Sequence, residues 1–412
     1  MKKIRLSLHA IIIFIGMLFL YKNVNLFFGY WGFTYDLNFS RIFFSIISLL
    51  LIIKLSFKKN IYDFNRIFLF YWIFFVFLPI TILFSVSLIN YYHFFIHFSF
   101  IFFLSLFFSL KRQFIFTKNY IKPISFEKNK FLILCVILVL STPLIEVLVN
   151  FNVASFNLFD VYGIRLEARE SGNRIIGYLR ELLSRVVYPF FLIYGYIYKK
   201  WILFMFGLLS IVLIFGSTGA LKSIIVIVPI SFLFIKLNSY YKVQDMLLIL
   251  VYCLVFLPLI ETYFFGSFFL TDLPSRRLFF VPGLFENAYF TEYIDKPQFY
   301  MNSILKFLNE TQELTTKLIG SKYFGKPEMN ANVGIVLDGF INIGYFGVIL
   351  HAVIIYFSLG VLNGLKINPK FFGIFFIYFY YMNTSFIGTL FLTHGFLFLL
   401  IFFYIIKTNH KN

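Results

Sequence analysis

The chain has 412 residues, 60% of them hydrophobic and 13% charged, with a formal net charge of +18. A soluble domain could not hide this much apolar side chain, 64 Phe among it. The basic residues come in short groups between apolar runs, which is the pattern of membrane topology signals and not of a nucleic-acid-binding face.

The expected fold is all-α: a polytopic integral membrane protein with about twelve transmembrane helices in a single transmembrane domain, residues 1–412. Many windows exceed the eighteen or so apolar residues needed to cross roughly 30 Å of hydrocarbon. In chain order the predicted spans are about 7–28, 40–57, 66–86, 89–110, 131–149, 182–198, 201–217, 219–235, 245–264, 333–359, 371–388 and 389–406. The first follows Met1-Lys2-Lys3-Ile4-Arg5 and resembles a signal peptide, but no small-x-small cleavage site follows it, so it reads as a retained helix. Lys and Arg near Lys2, Lys58, Lys118, Lys199, Lys236, Lys366 and Lys407 fall on one side, which then holds 21 of the 36 basic residues. The positive-inside rule puts that side and both termini in the cytoplasm. Of the other 15, 12 lie in two long outside segments, roughly 150–185 and 265–332, and long segments are exempt from the rule.

Three features are set aside. His93 and His97 are four apart on a helix, a spacing that can hold zinc, but no carboxylate or Cys lies near them in sequence, and interfacial packing is the favoured reading. No metal site is expected. Cys135 and Cys253 both fall in apolar runs and suggest neither a disulfide framework nor a Cys-rich metal site. Gly216-Ser217-Thr218-Gly219-Ala220-Leu221-Lys222-Ser223 imitates a P-loop, yet Leu221 stands where the motif needs Gly, so it reads as a turn.

The first long segment is distinctive in its basic residues. Over the chain Lys outnumbers Arg 25 to 11, but between Asn150 and Arg185 every basic residue is Arg: Arg165, Arg169, Arg174, Arg180 and Arg185. The segment is expected to be helical on both sides of Gly172, with Arg174, Glu181 and Arg185 on one face. Glu181 four residues before Arg185 is an ordinary helix ion pair, and Glu167 and Glu170 can pair with Arg165, Arg169 or Arg174. Five Arg without a Lys favour more: the planar guanidinium fork binds phosphate or carboxylate at two points, where ammonium cannot.

The second segment opens with paired Arg276 and Arg277 beside aromatics, then runs Leu284-Phe285-Glu286-Asn287-Ala288-Tyr289-Phe290-Thr291-Glu292-Tyr293. Aromatic faces with carboxylates suit carbohydrate, and an aromatic interfacial belt is the competing reading for any single ring. Residues 297–319 read as an amphipathic helix lying on the membrane, with Ile304, Leu305, Leu308, Leu314 and Leu318 on one side.

Met329-Asn330-Ala331-Asn332-Val333-Gly334-Ile335-Val336-Leu337-Asp338-Gly339-Phe340, then Ile343-Gly344-Tyr345-Phe346-Gly347-Val348, resembles the Wzy-type O-antigen polymerases, the oligosaccharide repeat-unit polymerases of bacterial surface polysaccharide pathways. Those proteins carry an Asn-rich turn entering a late span, then a Phe/Tyr-Gly-x-x-Gly-like step. Arg276 to Gly283 looks like the Arg-hydrophobic-Pro-Gly element of some members, and the twelve-span plan matches. A departure is Lys222, where Arg is expected in the turn after the seventh span.

The resemblance implies a transferase in the bacterial cytoplasmic (inner) membrane, acting at its outer face to build O-antigen or capsule. Its substrate would be oligosaccharide repeat units on undecaprenyl diphosphate, in contact with membrane lipids, with a chain-length regulator protein as a further partner and no cofactor. Nucleotide sugars are absent outside the cytoplasm, so a donor there must arrive activated on a lipid. A diphosphate leaving group develops negative charge that preorganised Arg would stabilise. Arg165, Arg169, Arg174, Arg180, Arg276 and Arg277 are the candidate diphosphate ligands, and Tyr289, Tyr293, Asn330 and Asn332 the candidate glycan contacts. Glu167, Glu170, Glu286 and Asp338 are the candidate bases for the acceptor hydroxyl, with no choice among them. The alternatives are an O-antigen ligase, disfavoured because neither long segment contains the His that ligases use, and a flippase or transporter of lipid-linked oligosaccharide.

Overall fold

A computed structural model describes residues 3–57, 61–110, 136–138, 141–145, 148, 174–217, 222–301, 305 and 314–408. Among these residues every regular element is helical. Six helices are long and apolar enough to cross a membrane: Arg5–Trp31, Phe39–Ser56, Asp63–Ser85, Tyr91–Ser109, Tyr240–Phe265 and Ile335–Leu365. The remaining expected spans are shorter, interrupted by wide turns, or lie outside the described residues, as most of 131–149 does. The chain divides into two compact units.

Unit 1 comprises Met1–Ile115, Tyr240–Asn363 and Phe379–Ile387. Asp63–Ser85 is its centre. Its most apolar eighteen-residue window is entirely buried, as expected of a helix that is hydrophobic all round. Two of its neighbours start on an Asn cap: Asn38 accepts from the Arg41 N–H and Asn90 from the His93 N–H. The cap fixes where the Tyr91–Ser109 helix begins, and therefore which faces His93 and His97 present.

Unit 2 comprises Phe116–Ser239, Gly364–Tyr378 and Gly388–Asn412. Its described core is aromatic: Phe190 stacks on Phe371 at 5.4 Å and meets Phe402 edge-on at 4.9 Å. The helices Tyr188–Ile197 and Trp201–Ser217 pack closely at Gly195, where a Cβ would lie 2.6 Å from the Phe204 nitrogen.

Three helical runs widen into a π-turn just before a proline. Trp72–Phe77 precedes Leu78-Pro79, Leu183–Val187 precedes Tyr188-Pro189, and Thr271–Phe280 precedes Val281-Pro282. Proline has no N–H to give the carbonyl four residues back, and its ring crowds that carbonyl. Those residues are Phe75, Arg185 and Leu278, and each lies inside the widened turn, which moves the obstructed carbonyl aside.

Two expectations need correction. The expected span 333–359 is not one straight helix. Ile343 and Gly344 leave helical geometry, Gly344 at φ +63°. The His351 ring donates from Nδ1 to the Ile335 carbonyl at 2.6 Å, and a Cβ on Gly339 would lie 2.6 Å from the Gly347 carbonyl oxygen. Residues 16 and 8 apart in an unbroken helix are about 24 and 12 Å apart, so the chain reverses at Ile343-Gly344. Residues 335–342 lie antiparallel against 345–352. The first arm is too short to cross a bilayer, whereas 345–365 is long enough alone. The expected amphipathic helix at 297–319 fails at its start: residues 296–301 are not helical, with Phe299 and Tyr300 at positive φ, and among the described residues that follow a helix is seen at Thr315–Phe324. Most of the residues between lie outside those described.

Candidate functional site: two buried carboxylates

Of the candidate residues, Arg276, Arg277, Glu286, Asp338, Tyr289, Tyr293, Asn330 and Asn332 belong to unit 1. Arg180 belongs to unit 2. Arg165, Arg169, Glu167 and Glu170 lie outside the described residues. Arg174 begins the helix Arg174–Leu182, with its side chain outside the description.

Glu286 sits in Val281–Tyr293, which Gly283 brings hard against the central helix: a Cβ there would collide with the Leu83 side chain. The carboxylate is 1% exposed and faces His93 and His97, themselves 0% and 1% exposed. His97 Nε2 donates to Glu286 Oε2 at 2.8 Å, and His93 Nε2 lies 3.6 Å from the same oxygen. The sequence offered the two histidines no acidic neighbour; the fold supplies one from 189 residues away. Burial pushes the Glu286 carboxyl up, but the His97 and His93 rings outweigh it and hold it at about 2. Glu286 Oε1 and His93 Nε2 have no hydrogen-bond partner among the described residues.

Asp338 is also 1% exposed, but its surroundings differ. Its Oδ1 accepts from Asn342 Nδ2 at 2.8 Å and its Oδ2 from the Ile387 backbone N–H at 2.7 Å. Asn342 Oδ1 in turn accepts from the Tyr300 N–H at 2.6 Å. The turn at Gln298–Tyr300 caps the short arm, Gln298 N–H donating to the Ile341 carbonyl and Phe299 N–H to that of Asn342. His351 closes the network. Its Nδ1–H donates to Ile335, so its Nε2 is the acceptor, and the Tyr300 hydroxyl donates to it at 2.8 Å. The two carboxylate sites are joined by a ring stack: His93 on Phe290, and Phe290 on Phe340, each at 5.5 Å.

Around these lie the other candidates. Tyr289 is fully buried and its hydroxyl donates to the Ala331 carbonyl at 2.8 Å. That bond pins the Asn-rich turn, leaving Asn330 and Asn332 exposed on either side of buried Ala331. Tyr293 is buried too, and its hydroxyl pKa is pushed up to about 12, chiefly by burial. Arg276 is 4% exposed, pairs with Asp272 one turn earlier, and lies over the Phe28 ring at 4.2 Å and the Trp31 ring at 5.4 Å. Arg277 beside it is exposed. In unit 2 the ordinary pair expected of Glu181 and Arg185 forms, and Arg185 also donates to His394 Nδ1. Arg180 lies 3.7 Å from Glu181.

In comparisons with known proteins, no family model, no curated protein and no solved structure matches this chain. The chain is therefore defined by its own architecture: an all-helical protein with several helices fit for a membrane and two buried carboxylate networks.

Proposed function

We propose that the chain is a polymerase of the Wzy type, joining undecaprenyl-diphosphate-linked oligosaccharide repeat units at the outer face of a bacterial cytoplasmic membrane. It has about twelve spans, both termini inside, and its long outside segments at 150–185 and 265–332. The growing glycan moves from one lipid diphosphate to the free end of the next unit. One observation carries this reading: residues of the stretch that carries the resemblance serve one built feature. Gly344 makes the reversal, Gly339 and Gly347 make the close crossing, Asp338 ties the short arm to the Ile387 N–H, and Asn330 and Asn332 stand exposed just before it in the chain. Arg277, exposed beside buried Arg276, is the unit 1 guanidinium best offered to a diphosphate, and Asn330 and Asn332 are better offered to glycan than Tyr289 or Tyr293.

A second reading, a transporter of lipid-linked oligosaccharide, is favoured by the same hairpin. Half-helices and buried ionisable groups at a helix break are how transporters build substrate and ion sites. A deletion strain separates the two. Loss of a polymerase leaves single repeat units on the surface acceptor; loss of a flippase leaves none. A deletion that removes even the single-unit product would favour the transporter.

A further inference from the structure

The cluster of His93, His97 and Glu286 has chemistry that the proposed reaction does not use. Two imidazoles one helical turn apart and a carboxylate from a second helix place their donor atoms within 4.8 Å of one another. Nitrogen and carboxylate donors together suit zinc and its neighbours in the first transition row, whereas magnesium and calcium require oxygen. A tetrahedral ion with bonds of 2.0–2.1 Å holds its ligands about 3.3 Å apart. The observed separations from Glu286 Oε2, 2.8 Å to His97 Nε2 and 3.6 Å to His93 Nε2, lie on either side of that value.

Hydrogen-bond satisfaction agrees with the geometry. Buried Glu286 Oε1 and His93 Nε2, which no described group hydrogen-bonds, are both positioned to become ligands. Asn90 fixes the start of the histidine helix through the His93 N–H at 2.9 Å, so the two rings sit on a defined face.

We propose that His93, His97 and Glu286 bind one zinc-class divalent ion. The ion ties the Tyr91–Ser109 helix to the Val281–Tyr293 helix. The three ligands are at most 1% exposed, so the ion is sealed from bulk solvent and acts as a structural staple. Binding the folded state alone stabilises it by mass action.

The test uses the full chain purified in detergent. After zinc loading and desalting, elemental analysis should find about one zinc per chain. X-ray absorption should show nitrogen and oxygen ligands without sulfur, and chelation should lower the melting temperature. Glu286→Gln and His97→Ala should lose the zinc and the chelator response, while His9→Ala keeps both. If a variant fails to fold, the wild-type stoichiometry, ligand spectrum and chelator response still decide. Wild type that retains no zinc after desalting and melts identically with chelator overturns the proposal. So does zinc content undiminished in folded Glu286→Gln or His97→Ala, which would place the metal elsewhere.

Discussion

Glu286 and Asp338 are equally buried carboxylates in the same unit, yet one is held by rings and the other by amides. Around Glu286 the partners are two imidazoles, which can exchange donor for acceptor by changing tautomer. Around Asp338 they are a backbone N–H and a side-chain amide whose own oxygen is already committed to Tyr300. The first site can accommodate a change of charge or ligand. The second cannot, because each donor there has one role, and the hairpin's shape depends on it. A buried carboxylate is thus not by itself a catalytic base: Glu286 has the makings of a binding site, and Asp338 those of a latch.

The largest expected effect lies where the two arms of the hairpin cross. A methyl on Gly347 would collide with the Gly339 carbonyl oxygen, a backbone atom that has little room to yield. Gly347→Ala should cost at least about 3 kcal/mol, seen as loss of monodisperse protein in detergent. Gly325→Ala, at φ +62° with nothing within 4 Å, should cost only about 1 kcal/mol. Equal behaviour of the two would mean that the hairpin does not cross as described.

The comparison is sharpened by neutralising each carboxylate in chelator-treated protein. Asp338→Asn must turn an NH2 toward the Ile387 N–H or toward Asn342 Nδ2, stranding one buried donor. That costs about 1–3 kcal/mol. Glu286→Gln should cost less, about 1 kcal/mol, because a histidine can switch tautomer to meet the new donor. Melting curves of the two variants test the order, and a larger loss for Glu286→Gln would contradict it.

The smallest effect concerns a half-buried carboxylate on the Glu286 helix. Glu292 accepts from the exposed ammonium of Lys322, which holds the carboxyl below its ordinary value and raises the lysine. A carboxyl lowered by folding adds stability above its unfolded pKa and loses it as pH falls through the folded one. Wild type and Glu292→Gln should therefore differ by no more than about 2 °C at neutral pH and converge in acid. A gap that widens in acid would reverse the assignment.

The helical class and several of the expected spans are readable in the sequence because uninterrupted apolar runs have one physical outcome. The sequence could not reveal the reversal inside 333–359, since Ile343-Gly344 lies in an apolar run and hydropathy does not see direction. The latch is partly visible in the sequence: Asp338 and Asn342 are four apart on one arm, but Tyr300, His351 and Ile387 join the network only through tertiary contacts. His93 and His97 were recognised by spacing and set aside for want of a nearby acid. No sequence rule connects them to Glu286, 189 positions from His97. Arg276 is a candidate diphosphate ligand by sequence; Asp272, one turn back, is the legible sign that part of its fork is used internally.

If the chain transfers glycan between lipid diphosphates, as we propose, the reaction needs no energy beyond the donor linkage, because each step releases a lipid diphosphate. Purified protein given undecaprenyl-diphosphate-linked repeat units in detergent, without ATP, nucleotide sugar or an ion gradient, should produce a ladder whose steps equal one repeat unit. A flippase cannot do so, since detergent abolishes the compartments it works between. Folded wild-type protein that leaves the repeat units unjoined under these conditions, while a polymerase of known activity joins its own, would contradict the account.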